Sequence, residues 1–205
     1  MNLRVLSTLC CLFLCLATFP ALADEDVSGV SVGLRTGFGL PVGLLKGGGG
    51  DADAPPLSSW VFGIIPVQLD LGWFLSPRVY LGTSFQYSHV LLAHQCAQPS
   101  PGDCDKRGLR LGVTLSYHVP ISSTRSHWIG LGTGYEYLKP GIRSFEGVEF
   151  VNLQGGTDFR VSEELWLGPF VTFTVGKYVD VDDARFHGWL MGGLRLSIRQ
   201  EKKKP

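Results

Sequence analysis

Eight stretches of this 205-residue chain alternate strictly between two rows of side chains. In the first, Val30, Val32, Leu34, Thr36, Phe38 and Leu40 stand against Ser31, Gly33, Arg35, Gly37 and Gly39. The same two rows, one apolar and one small or polar, recur over residues 65–73, 79–88, 109–118, 129–137, 151–160, 167–175 and 190–198. A period of two puts the rows on opposite faces of a β-strand and excludes an amphipathic helix, whose period is 3.6. Each stretch is about ten residues long, the length at which a tilted strand crosses a bilayer. The expected class is all-β.

The fifth stretch, WIGLGTGYEYL from Trp128 to Leu138, places Gly130, Gly132 and Gly134 on one row with Glu136. Glycine-rich stretches can cradle phosphates, but only where a turn leads into a helix, and no helical pattern follows here. The three glycines are expected to form a flat strip of barrel wall. That strip would leave room for arginines of neighbouring strands, with Glu136 as a candidate partner.

The connections alternate in length. Pro41 to Ser59 is long, Ser76-Pro77-Arg78 short, Val90 to Arg107 long and Pro120 to Ser126 shorter. Lys139 to Gly147 is of middle length, Ser162-Glu163-Glu164 short and Lys177 to Phe186 middling. Large outer loops alternating with tight turns are the pattern of an up-and-down barrel with both termini on the tight-turn side.

Periodicity does not say which row faces inward. A soluble, lipocalin-like barrel would enclose the apolar row, and a membrane barrel reverses it. Lysine discriminates: Lys46, Lys106, Lys139, Lys177, Lys202, Lys203 and Lys204 all fall in the expected connections or the tail. A strand face in water usually carries Lys and Glu, which also guard against aggregation. The polar rows here hold Gly, Ser, Thr and Gln with isolated Arg, Asp or Glu, as suits a narrow lumen. Aromatics gather near strand ends: Trp73, Tyr117, Trp128, Phe159 and Trp166 towards one rim, and Trp60, Tyr87, Tyr137 and Tyr178 towards the other. Two such girdles are expected where a barrel meets the two membrane interfaces.

Arg4, the uncharged apolar run Val5 to Phe19 and the A-x-A site Ala21-Leu22-Ala23 read as a cleaved secretory signal peptide over residues 1–23. The run is short for a retained membrane anchor. Cys10, Cys11 and Cys15 lie inside the apolar run, which argues against a lipoprotein. Of the five cysteines, Cys96 and Cys104 remain after cleavage, so a disulfide between them is expected in an exported chain. The 27 glycines are close to twice the usual ~7 %. The balance of 18 basic against 18 acidic residues gives no footprint of a nucleic-acid binder.

With hairpins such as LDLGWFLSPRVYLGTSFQY and a final strand GGLRLSI, the chain resembles the small eight-stranded outer-membrane proteins of Gram-negative bacteria, the OmpA/OmpX-like β-barrel superfamily. The likeness runs from the signal peptide through nearly all of Gly29 to Ile198. It implies an eight-stranded antiparallel up-and-down transmembrane β-barrel over residues 24–199, a basic periplasmic tail over 200–205 and a place in the cell outer membrane. Gly193, Leu196 and Ile198 are similar to the signal that the barrel-assembly machinery reads. The partners implied are that machinery and outer-membrane lipid, with no nucleic acid and a monomeric barrel.

The polar rows contain Arg35, Asp70, Arg110, Glu136, Asp158, Arg160 and Arg195. Isolated buried charges are costly, so these are expected to pair in a salt-bridge network that plugs the lumen. A charged constriction in a small pore is the other reading. His118 is expected to hydrogen-bond inside the lumen. Asp180, Asp182 and Asp183, or Asp51 and Asp53, could hold a cation, but neither group has EF-hand spacing, and no metal or cofactor is expected. Catalysis needs a nucleophile, a base and an orienting group within reach of one another. His89, His94, His118, His127 and His187 show no such spacing, although Ser88 adjoins His89. The expected role is therefore non-enzymatic, structural or surface-interacting through the outer loops. A narrow pore and a lipid-modifying enzyme are the alternatives.

Overall fold

The computed structural model describes residues 29–44, 56–93, 105–141, 144–180 and 185–200. The signal peptide, Cys96 and Cys104, the Asp51/Asp53 and Asp182/Asp183 groups and the lysine tail lie outside them.

Each alternating stretch is a strand. They are β1 (Gly29–Gly43), β2 (Val61–Phe74), β3 (Val79–Leu92), β4 (Asp105–Ser122), β5 (Arg125–Gly141), β6 (Phe145–Arg160), β7 (Leu165–Tyr178) and β8 (Phe186–Arg199). Every strand pairs antiparallel with its chain neighbour, and β8 closes on β1 with thirteen paired positions from Ser31↔Arg199 to Gly43↔His187. Closure leaves no open edge, the condition for strands to lie in a medium that offers no hydrogen bonds.

The apolar row faces outward. Leu153 is 47 % exposed and Trp73 59 %, while Arg195 and Asp158 on the other row are 1 % exposed. A contiguous apolar belt with a polar interior inverts the arrangement of a water-soluble domain, and such a surface is satisfied by acyl chains. This is the architecture of a small eight-stranded transmembrane barrel. Among the described residues no helix is long and apolar enough to cross a membrane.

The strands run 14 to 18 residues, longer than a bilayer crossing requires. Lys106, Lys139 and Lys177, expected in connections, are therefore carried on strand ends that rise above the apolar belt. The third outer connection shrinks to residues 142–144, and Gly141 turns into it at φ 92°, a left-handed conformation that favours glycine.

The aromatic girdles need correction. Trp73, Tyr117, Phe159 and Tyr87 face outward, but Trp128, Trp166 and Tyr178 are buried inside the barrel. Their even-numbered positions belong to the inward rows of β5 and β7, so alternation outweighs proximity to a rim.

Candidate functional site: a filled lumen

The lumen is occupied from end to end by stacked layers of side chains. At the end of the barrel that holds Gly29 and Arg199, Asp158 accepts from Trp128 Nε1 at 3.2 Å, pairs with Arg195 at 3.5 Å and also binds Arg199. The Arg195 guanidinium lies 4.7 Å from the Trp128 ring centre, and that of Arg199 lies 4.6 Å from Trp166. Cation–π contact thus supplements the one carboxylate that these two arginines share. His118 fills the same layer, with Ser116 Oγ 3.2 Å from its Nε2 and Phe74 edge-on at 5.0 Å.

In the middle layer Arg35 Nε donates to Asp70 at 2.5 Å, and its Nη1 donates to Gln154 Oε1. Gln68 donates to the second Asp70 oxygen at 2.7 Å, and Gln154 donates to Thr114 at 3.1 Å. Above it, Arg110 Nη2 donates to Glu149 at 2.9 Å. Glu136 is hydrogen-bonded to His187 and accepts from Trp189 Nε1 at 3.2 Å. His187 stacks on Tyr178 with ring centres 3.7 Å apart and planes 3° from parallel.

A small hydrophobic core closes the loop end. Leu57, from the 3-10 turn Leu57–Ser59, packs there with Val61, Ile64, Val90, Leu138, Phe145, Trp189 and Met191. Two gaps among the described lumen residues, one beside Arg110 and one beside Arg35, measure about 20 and 10 Å³. A single water needs roughly 10–15 Å³, so neither is a solute path.

Of the seven residues expected in the network, Arg35, Asp70, Arg110, Glu136, Asp158 and Arg195 are buried in it. Arg160, at the rim end of the inward row of β6, donates to the carbonyls of Ser162 and Glu163 at 3.2 and 2.8 Å, stapling the 161–164 turn, and lies over Trp166. Arg110, which stands opposite Glu136 in the β4–β5 register, donates to Glu149 on β6. Arg199 and Glu149 join the network, and the described lumen then holds four arginines against four carboxylates.

Sequence reasoning missed Glu149, Arg199 and the role of His187. His187 and Arg199 lie on the inward row of β8, which reaches Arg199 two residues beyond Ser197 and His187 four residues before Met191. No such extension reaches Glu149. A bulge between Glu149 and Val151 sends both Phe150 and Val151 outward and turns Glu149 in, whereas strict alternation from Val151 would put it in lipid.

The glycine strip of β5 also differs from expectation. A Cβ on Gly132 or Gly134 would meet the carbonyl oxygens of Val113 or Leu111 at 2.6 and 2.5 Å. The space is taken by the backbone of β4, not by arginines. A Cβ would approach the network's side chains at Gly130, with Gln154 Cγ 3.1 Å away, and at Gly132, with Thr114 Oγ1 3.0 Å away. Gly132→Val is therefore expected to cost about 1–3 kcal/mol by overpacking. Urea titration of the folded barrel reads this, and an unchanged midpoint would refute it.

Ser88 and His89 lie on opposite faces. Ser88 is buried and accepts from Gln86 at 2.9 Å, while His89 points out. They do not form a nucleophile–base pair. Asp180 accepts from the Glu146 backbone N–H at 3.0 Å.

No protein-family model and no curated protein matches the chain. Among solved structures it is similar to Neisserial surface protein A at 10 % identity and TM-score 0.47, covering 85 % of this chain and 98 % of that one. It is similar to outer membrane protein AlkL at 15 % identity and TM-score 0.49, covering 92 % and 99 %. For the N-terminal barrel of Pseudomonas aeruginosa OprF the identity is 9 %, the TM-score 0.41 and the coverage 85 % and 100 %. What makes this chain a barrel is its own strand pairing, not these likenesses.

Proposed function

We propose that the chain is a non-enzymatic barrel of the Gram-negative outer membrane, acting as a structural or surface-interaction protein through its outer loops. One observation carries this reading: the lumen is blocked by paired charges and capped by a hydrophobic core beneath the long connections. A barrel closed in this way offers the outside its loops and rim, and offers solutes no passage. The assembly machinery and the surrounding lipid are its proposed partners, and it functions as a monomer.

The pore reading would need the Arg110–Glu149 and Arg35–Asp70 layers to part together. Planar-bilayer recording of the folded chain is expected to show no discrete conductance steps. Glu136→Gln is expected to lower stability without creating them. Reproducible unitary currents in the parent chain, lost in Arg110→Ala with folding intact, would replace this reading with a pore.

A further inference from the structure

The charges of the described lumen balance only as a whole. At the turn end Arg195 and Arg199 share one carboxylate, Asp158. The opposite imbalance stands beneath the loop-side core. There five consecutive strands each bring one ionisable group: Arg110 on β4, Glu136 on β5, Glu149 on β6, Tyr178 on β7 and His187 on β8. None of the five is more than 6 % exposed. Arg110 Nη2 donates to one Glu149 oxygen at 2.9 Å, and the other oxygen, also buried, accepts no hydrogen bond. Glu136 binds His187 with one oxygen and the Trp189 indole with the other. The groups beyond this layer leave its charge unchanged. Arg35 and Asp70 pair with each other, and Lys106 and Asp180, farther out on β4 and after β7, are exposed.

With both carboxyls ionised and His187 neutral, one guanidinium would face two carboxylates out of reach of water. A buried charge without a counter-charge is costly. One proton on the layer, carried by His187 or by a carboxyl, restores the balance. Groups coupled this closely titrate as a unit rather than one by one. The unfolded chain keeps no such proton above neutral pH, because free carboxyls release it near pH ~4.3 and free imidazole near ~6.5. The layer is also tied to the cap above it. His187 stacks on Tyr178, Glu136 holds the Trp189 indole, and Tyr178 and Trp189 both pack in the core that buries Leu57.

We propose that this layer is a proton-operated latch on the loop-side cap. The folded barrel keeps one proton on the Arg110–Glu136–Glu149–His187 cluster that the unfolded chain gives up. Releasing it leaves a carboxylate unbalanced directly beneath the turn Leu57–Ser59 and loosens the packing there. Because the folded state binds the extra proton, stability is lost as pH rises. Each pH unit favours unfolding tenfold, up to the pH at which the folded layer itself lets the proton go.

Urea unfolding of the full chain in lipid vesicles between pH 7 and 9 tests the latch. The unfolding constant of the parent is expected to be at least about tenfold larger at pH 9 than at pH 7. Glu149→Gln and Glu136→Gln each remove one carboxylate, so either variant balances the layer without a proton. Their unfolding constants are expected to change less than about twofold over the same range. The two variants back each other should one fail to fold. Arg160→Ala, outside the layer, is expected to keep the parent's slope. Hydrogen exchange of residues 56–61 reads the cap itself. The ratio of parent to Glu149→Gln exchange, taken at equal pH so that intrinsic rates cancel, is expected to rise severalfold from pH 6 to pH 9. A parent unfolding constant that stays flat overturns the latch, as does a slope that the Gln variants retain. An exchange ratio that does not move with pH would uncouple the layer from the cap and overturn it too.

Discussion

Replacing Asp158 with alanine is expected to cost about 3–5 kcal/mol of barrel stability, the range for removing one partner of a buried ion pair. Asp158 is 1 % exposed and serves three donors: Arg195, Arg199 and the Trp128 indole. Without it Arg195 and Arg199 lose the buried carboxylate that they share. Arg160→Ala is the control: its bonds go to the carbonyls of an exposed turn, so its loss should cost clearly less than that of Asp158. Urea unfolding of the barrel in lipid vesicles, followed by tryptophan fluorescence, measures both. Equal losses for the two variants would contradict the layered network.

Leu153→Arg carries the second large effect. Leu153 sits midway along β6 with its side chain outward, between Leu131 and Phe173 on the adjoining strands. In a bilayer an arginine at mid-depth costs about 2–4 kcal/mol. On a water-facing wall the same change would fall within about 0.5 kcal/mol. The same unfolding titration in vesicles therefore separates a lipid-facing wall from a solvated one, and a loss below about 0.5 kcal/mol would sink the membrane reading.

These two residues differ in how visible they were. Leu153 needs only the period of its own strand and the scarcity of lysine on the strands. Asp158 was visible as a lumen charge for the same reason, but its partners were not. Arg195 and Arg199 come from β8, two strands away around the barrel, and no local pattern in either strand names the other. Arg110 shows the limit of register reasoning. Its cross-strand neighbour is Glu136, yet it donates to Glu149 on β6.

The aromatic misplacements come from a different source. Trp128 and Trp166 stand near strand ends, as girdle residues do, but their parity places them inside. Near a strand end, distance to the rim and side of the wall are separate questions, and only the period answers the second.

What the amino-acid order determined alone was the strand count, the antiparallel up-and-down order and the face each side chain takes wherever alternation is unbroken. These follow from the two-residue repeat and the connection lengths, which are local. What only the tertiary structure decided was the register of closure, the two-residue outward run at Phe150 and Val151 that turns Glu149 inward, and which lumen charge meets which. Those depend on how eight strands shear as they close, because closure sets the depth at which each side chain enters the lumen and so which groups share a layer.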